Sequence, residues 1–139
     1  MADLHTALTA RFAGSTILDG KLRDTAVDRD GGVVRGNYLL LFTSANPDEL
    51  LTERETREQT AGDDGRWFFT LRAVAVDPGG CTLLLGEAFA ELVGWAPTVA
   101  GFTASRIRHE GAEQIRPDNT LRPPLFFGED DYSVRLTRT

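Results

Sequence analysis

The stretch from Arg66 to Trp95 constrains the fold more than any other, because its hydrophobic period changes partway along. From Trp67 to Val76 the odd positions Trp67, Phe69, Leu71, Ala73 and Ala75 are all apolar, while the even ones include Thr70 and Arg72. Successive side chains of a strand point to opposite faces, so this alternation predicts a strand with one face in the core. Beyond Asp77-Pro78-Gly79-Gly80, which reads as a turn, Cys81, Leu84, Leu85, Ala88, Phe89 and Leu92 recur at helical spacing. They predict the buried stripe of a three-turn helix, with Glu87 and Glu91 outside it and Gly94 placed to end it. A long strand feeding an amphipathic helix is the nucleus of a small α+β domain, and the remaining segments extend its sheet or cover it.

An N-terminal helix is expected from Asp3, a good N-cap, with the stripe Leu4, Ala7, Leu8 and Phe12 closed by Gly14. Ile17-Leu18 reads as a brief strand, and Asp19 to Gly36 as polar, turn-rich chain. Val33-Val34 and Tyr38 to Phe42 read as a strand apolar on both faces, hence central. Further on, Thr103 to His109 and Ala112 to Arg116 suggest a hairpin around Glu110-Gly111, broken by Pro117-Asp118-Asn119. Tyr132 to Leu136 alternates and predicts a last strand with one buried face. The expected architecture is one domain over residues 1–139: a mostly antiparallel β-sheet packed with two α-helices, with a long charged excursion between two central strands.

That excursion, residues 46–65, opens with a helix start, Asn46-Pro47-Asp48-Glu49, and a Leu50-Leu51 pair. Beyond Leu51 it has almost nothing to bury. Glu53 with Arg57 and Arg54 with Glu58 form i,i+4 pairs that add only a few tenths of a kcal/mol each. Loops this long in compact domains are usually functional or disordered, so the segment is expected to project as an arm.

At 139 residues the chain has the length of one domain, and its 41% hydrophobic and 26% charged residues suit a globular protein. No apolar run approaches a membrane span, and Met1-Ala2-Asp3 lacks the basic start of a signal peptide. The single cysteine, Cys81, excludes an intrachain disulfide and fits a reducing cytoplasm. The net charge of −6 argues against tight nucleic-acid binding, which draws most of its affinity from phosphate neutralisation.

Chemistry-bearing patterns are sparse. Neither His5 nor His109 has an acid or nucleophile at diagnostic spacing. Cys81 falls on the buried stripe, where a thiol is inert. Asp28-x-Asp30-Gly31 lacks the later ligands of a Ca²⁺ loop, and Glu129-Asp130-Asp131 reads as a solvated turn. There is no phosphate loop, GxSxG, CxxC or HExxH. The expectation is a non-enzyme without catalytic residues, metal or cofactor.

Taken together, the succession of elements resembles the tail terminator (tail completion) proteins of long-tailed bacteriophages. The resemblance spans nearly the whole chain: the N-terminal helix, the strand Tyr38–Phe42, the Arg54-Glu55-Thr56-Arg57 segment before the long strand, and the helix Thr82–Val93. It continues through the connector Trp95-x-Pro97-Thr98-Val99-Ala100-Gly101, strands ending Ile115-Arg116-Pro117-Asp118, Pro123-Pro124 before an aromatic pair, and a strand opened by Tyr132. It implies a structural virion protein of the tail-neck region, assembled in the host cytoplasm. Six copies would form a ring that caps the head-proximal end of the tail tube, stops its polymerisation and offers a docking surface for head-tail joining. The implied partners are other copies of the chain, the tail tube protein, a head-completion or connector protein, and genomic DNA passing through the lumen without specific binding; no membrane is implied. The alternatives are another neck component, such as a head-completion adaptor or tube-related protein, and a small-ligand-binding α+β domain.

A ring of this kind assigns tasks to three groups of residues. The Pro-flanked Leu125, Phe126 and Phe127 are candidates for the subunit interface. Glu53, Arg54, Arg57 and Glu58 on the arm are candidates for contact with the tube or a neighbouring subunit. Some of Asp28, Asp30, Glu129, Asp130 and Asp131, all read as turn residues, would line the lumen, where carboxylates let DNA pass without sticking.

Overall fold

A computed structural model describes residues 3–27, 29–43 and 64–139. The fold is α+β: helices α1 (Asp3–Ala13) and α2 (Pro78–Leu92) lie with a sheet of six strands. These are β1 (Leu22–Arg23), β2 (Tyr38–Thr43), β3 (Asp64–Ala75), β4 (Phe102–Ala104), β5 (Arg108–Asp118) and β6 (Leu125–Arg138). The order across the sheet is β1-β2-β3-β6-β4, with β5 also paired to β6. Every pairing is antiparallel except the short β1–β2 ladder.

The two longest strands form the centre. β3 and β6 pair continuously from Asp64↔Thr137 to Ala75↔Phe126. The odd residues Trp67, Phe69, Leu71, Ala73 and Ala75 are each at most 3 % exposed, in the main core with Tyr132, Val134 and Leu136 of β6. The alternation in the sequence thus fixes which face of β3 the helices cover. Phe69 stacks on Tyr132 with ring centroids 5.3 Å apart. From α2 come Cys81, Leu84, Leu85, Ala88 and Leu92, and from α1 come Leu4, Leu8 and Phe12.

The start of α2 differs from the expected turn. Asp77 is its N-cap, its Oδ1 accepting a bond from Gly80 N at 2.6 Å, and Pro78 opens the first turn. Gly80 has to be glycine, because an added Cβ would sit 2.8 Å from both Ala75 Cβ and Asn37 Nδ2. At the other end, Val93 is the C-cap and Gly94 takes φ 84°, the left-handed conformation expected of it. Phe89 departs from the stripe: it is 43 % exposed and rests edge-on against His109.

Three further expectations are corrected. Ile17-Leu18 is a turn rather than a strand; the first ladder forms at Leu22–Arg23 against Leu39 and Leu40. Tyr38, Leu39 and Leu40 are buried on both faces as read, and β2 lies inside the sheet, between the two-residue β1 and the long β3. Val33 is not part of β2, and instead bridges Val27. The Thr103–Arg116 hairpin does not form, because Ile107 turns inward to the end of α2. Its N–H bonds Trp95 O at 2.9 Å and its carbonyl accepts from Gly94 N at 3.1 Å. The chain is thereby split into β4 and β5, which lie along the same side of the 14-residue β6. Glu110-Gly111 becomes a bulge within β5 instead of a turn.

Candidate functional site

Side-chain alternation gives the sheet a second face, directed away from the helices. One end is a small apolar cluster of Tyr38, Leu40, Val74 and Leu125, against which Ala26, Val34 and Leu121 pack. The rest is a ladder of polar cross-strand pairs. Arg72 and Glu129 stand opposite each other in the register, with both Nε and Nη2 of Arg72 2.7 Å from Glu129 Oε2. Thr70 donates to Asp131 Oδ1 at 2.6 Å. Arg66 donates to Ser133 Oγ at 3.0 Å, and Ser133 donates in turn to Glu110 Oε1 at 2.5 Å.

Glu110 also lies 3.8 Å from Arg66 and 4.0 Å from Arg108. The Ser133 hydrogen bond, helped by Arg108, Arg66 and His109, holds its carboxyl below the usual glutamate range against a smaller opposing effect of burial. Two phenylalanines break this polar ladder: Phe42 is 49 % and Phe68 40 % exposed. The Arg72 guanidinium lies 5.5 Å from the Phe42 ring and 5.7 Å from Phe127, and Arg116 lies 5.2 Å from Phe127.

The candidate interface residues divide between the faces. Leu125 is 3 % exposed and belongs to its own chain's small cluster, which leaves it little surface to offer a neighbour. Phe126 packs on the main core, and Phe127 is half-buried on the helix-free face between the two arginines. The turn read at Glu129-Asp130-Asp131 is corrected: all three lie inside β6. Alternation sends Glu129 and Asp131 to the helix-free face and Asp130 to the helix side. A run of three acids sits in a strand here because Arg72, Thr70 and His109 supply partners across the sheet. Asp30 lies exposed in a turn. Asp28, and Glu53, Arg54, Arg57 and Glu58 with most of the 46–65 excursion, lie outside the described residues.

One cluster was not legible beforehand. Pairing of His109 with Tyr132 brings the imidazole beside Asp130, Nε2 to Oδ1 3.6 Å, and the Tyr132 hydroxyl lies 3.4 Å from Asp130 Oδ2. Burial, reinforced by Asp130, raises the Tyr132 phenol far above its ordinary pKa and keeps it protonated. His109 and Asp130 border an open groove of about 510 Å³ between α2 and β5, lined also by Leu85, Gly86, Phe89, Ala112 and Ile115. The only available signal was the alternation of β6, which puts Asp130 in phase with buried Tyr132 and Val134. Among the described residues no three of His, Cys, Asp and Glu are grouped to hold a metal ion, and no helix is long and apolar enough to cross a membrane.

No protein-family model and no curated protein matches the chain. Among solved structures, a chain described as "Virion of native gene transfer agent (GTA) particle" superposes with a TM-score of 0.70. The match covers 98% of this chain and 96% of the other at 10% sequence identity, so what the two share is the fold from end to end.

Proposed function

We propose that this chain is a structural virion protein, a tail terminator whose six copies form a ring at the head-proximal end of a tail tube. The observation that carries this reading is the likeness, over almost the full length of both chains, to a subunit of a virion particle. The succession of sequence elements that resembles tail terminators points the same way. In the ring the chain acts as one domain that stops tube growth, docks a head-completion protein and lets DNA through, with no catalytic step of its own.

A cyclic ring needs two different patches per subunit, joined head to tail. The helix-free face, with exposed Phe42 and Phe68 and half-buried Phe127, supplies one of them. Aromatic and arginine side chains on such a patch are the types that carry most interface energy. Asp30 and Asp131, both exposed, are the candidate carboxylates for the lumen wall, where net negative charge keeps DNA from adhering. The 46–65 excursion, through Glu53, Arg54, Arg57 and Glu58, is the proposed contact with the tube or a neighbouring subunit.

Electron microscopy of particles assembled without the chain tests the role. Overlong, unjoined tails are expected. Tails of normal length beside full, unattached heads would assign the chain to a head-completion adaptor instead, and normal joined particles would remove it from the neck altogether.

A further inference from the structure

Asp130 borders the α2–β5 groove yet is only 7 % exposed. A carboxylate this buried normally has close hydrogen-bond or charge partners. Here both partners are long: the Tyr132 hydroxyl donates at 3.4 Å, and His109 Nε2 lies 3.6 Å away, an ion pair only when the imidazole is protonated. Its own chain therefore leaves room for a stronger donor, and the groove opens directly beside it.

The groove walls are apolar, formed by Leu85, Phe89 and Ile115. At Gly86 an added Cβ would meet nothing within 4 Å, so the helix wall stays low there. Along α2 only Glu87 and Glu91 are charged, and Leu83 and Phe89 on its outer side are 59 % and 43 % exposed. A helix apolar nearly all round is normally covered. Apolar walls leading to one buried carboxylate suit a long aliphatic stem that ends in a cation.

We infer that this groove receives an arginine side chain from a second copy of the chain, its guanidinium on Asp130 and its stem between Phe89 and Ile115. The inference rests on the ring reading above. Arginine is favoured over lysine because a planar guanidinium also stacks on aromatic rings such as Phe89 and His109. A second copy has this to offer: 14 of its 15 basic residues are arginine. Charge complementarity selects the mode of contact. Asp130 and Glu113 are the acids of the groove, Glu113 with Arg116 3.5 Å away, while Arg66 and Arg108 gather around the single Glu110 on the opposite face of the sheet. Head-to-tail contact between unlike faces joins these surfaces, which a net charge of −6 per copy would otherwise drive apart.

Native mass spectrometry of the full chain, over a range of concentrations and with two variants, tests the groove. Asp130→Asn keeps the shape and removes the charge, and is expected to weaken association at least tenfold while the monomer stays folded. Gly86→Leu fills the groove from a position where an added Cβ meets nothing within 4 Å, and is expected to do the same even if Asp130→Asn disturbs folding. Rings of wild-type affinity in a folded Asp130→Asn chain, or in Gly86→Leu, overturn the groove and leave the ring reading intact. A wild-type chain that stays monomeric throughout overturns both.

Discussion

β3 and β6 present two unlike faces built from alternating residues of the same strands. Toward the helices Trp67, Phe69, Leu71, Tyr132, Val134 and Leu136 are all 3 % exposed or less. Away from them Arg66, Thr70, Arg72, Glu129 and Asp131 form a ladder of polar pairs with two phenylalanines left uncovered. The covered face sets the register, since a slip of one residue would drive Arg72 and Glu129 under α2. The open face is held by contacts that each contribute little. It can therefore carry an assembly surface without risking the fold.

Truncation on the covered face should have the largest effect. Phe69→Ala removes a 2 %-exposed ring stacked on Tyr132 and is expected to cost about 3–5 kcal/mol in urea denaturation. A cost below about 1 kcal/mol would mean that this face is not the close-packed one. Overpacking should hurt the same face somewhat less. At Gly128 an added Cβ would sit 2.8 Å from Ile115 Cγ1 and 3.3 Å from Leu85 Cδ1, so Gly128→Ala should cost about 1–3 kcal/mol. A stability equal to wild type would show that the β5–α2 contact yields freely.

On the open face, Arg72→Ala removes a part-exposed ion pair with Glu129 and should cost no more than about 1 kcal/mol, shrinking with added salt. A loss as large as that of Phe69→Ala would erase the contrast between the faces. The smallest expected effect concerns Cys81, whose thiol is pushed up to about 11 from 9.0 by burial, with Asp77 adding. Because the folded state holds the thiol neutral, its contribution to stability is complete below pH 9 and falls away as pH rises toward 11. At pH 8 thiol reagents should therefore label the native chain about a hundredfold more slowly than the unfolded one. Equal rates would mean that the covered face opens readily.

The covered face was legible because two strong periods, 2 along Trp67–Ala75 and 3.6 along Cys81–Leu92, meet in one stretch. Much of the open face was not. Glu129-Asp130-Asp131 reads locally as a turn, and only partners distant in sequence make it a strand: Arg72 lies 57 residues from Glu129 and Thr70 61 from Asp131. Likewise Thr103 to Arg116 has the alternation of a hairpin, and nothing local shows that Ile107 leaves it to dock on the end of α2. Asp77-Pro78 carried a helix-start signal that the nearby glycines disguised as a turn. His109 and Asp130 became neighbours through register alone.

The most direct test of the account is the mass of the isolated chain in solution, measured by native mass spectrometry as concentration is raised. The account expects a hexamer, or a ring that grows in with concentration, joined through the helix-free face, so that Phe127→Ser leaves a folded monomer and abolishes the ring. A chain that remains monomeric at every concentration would contradict it.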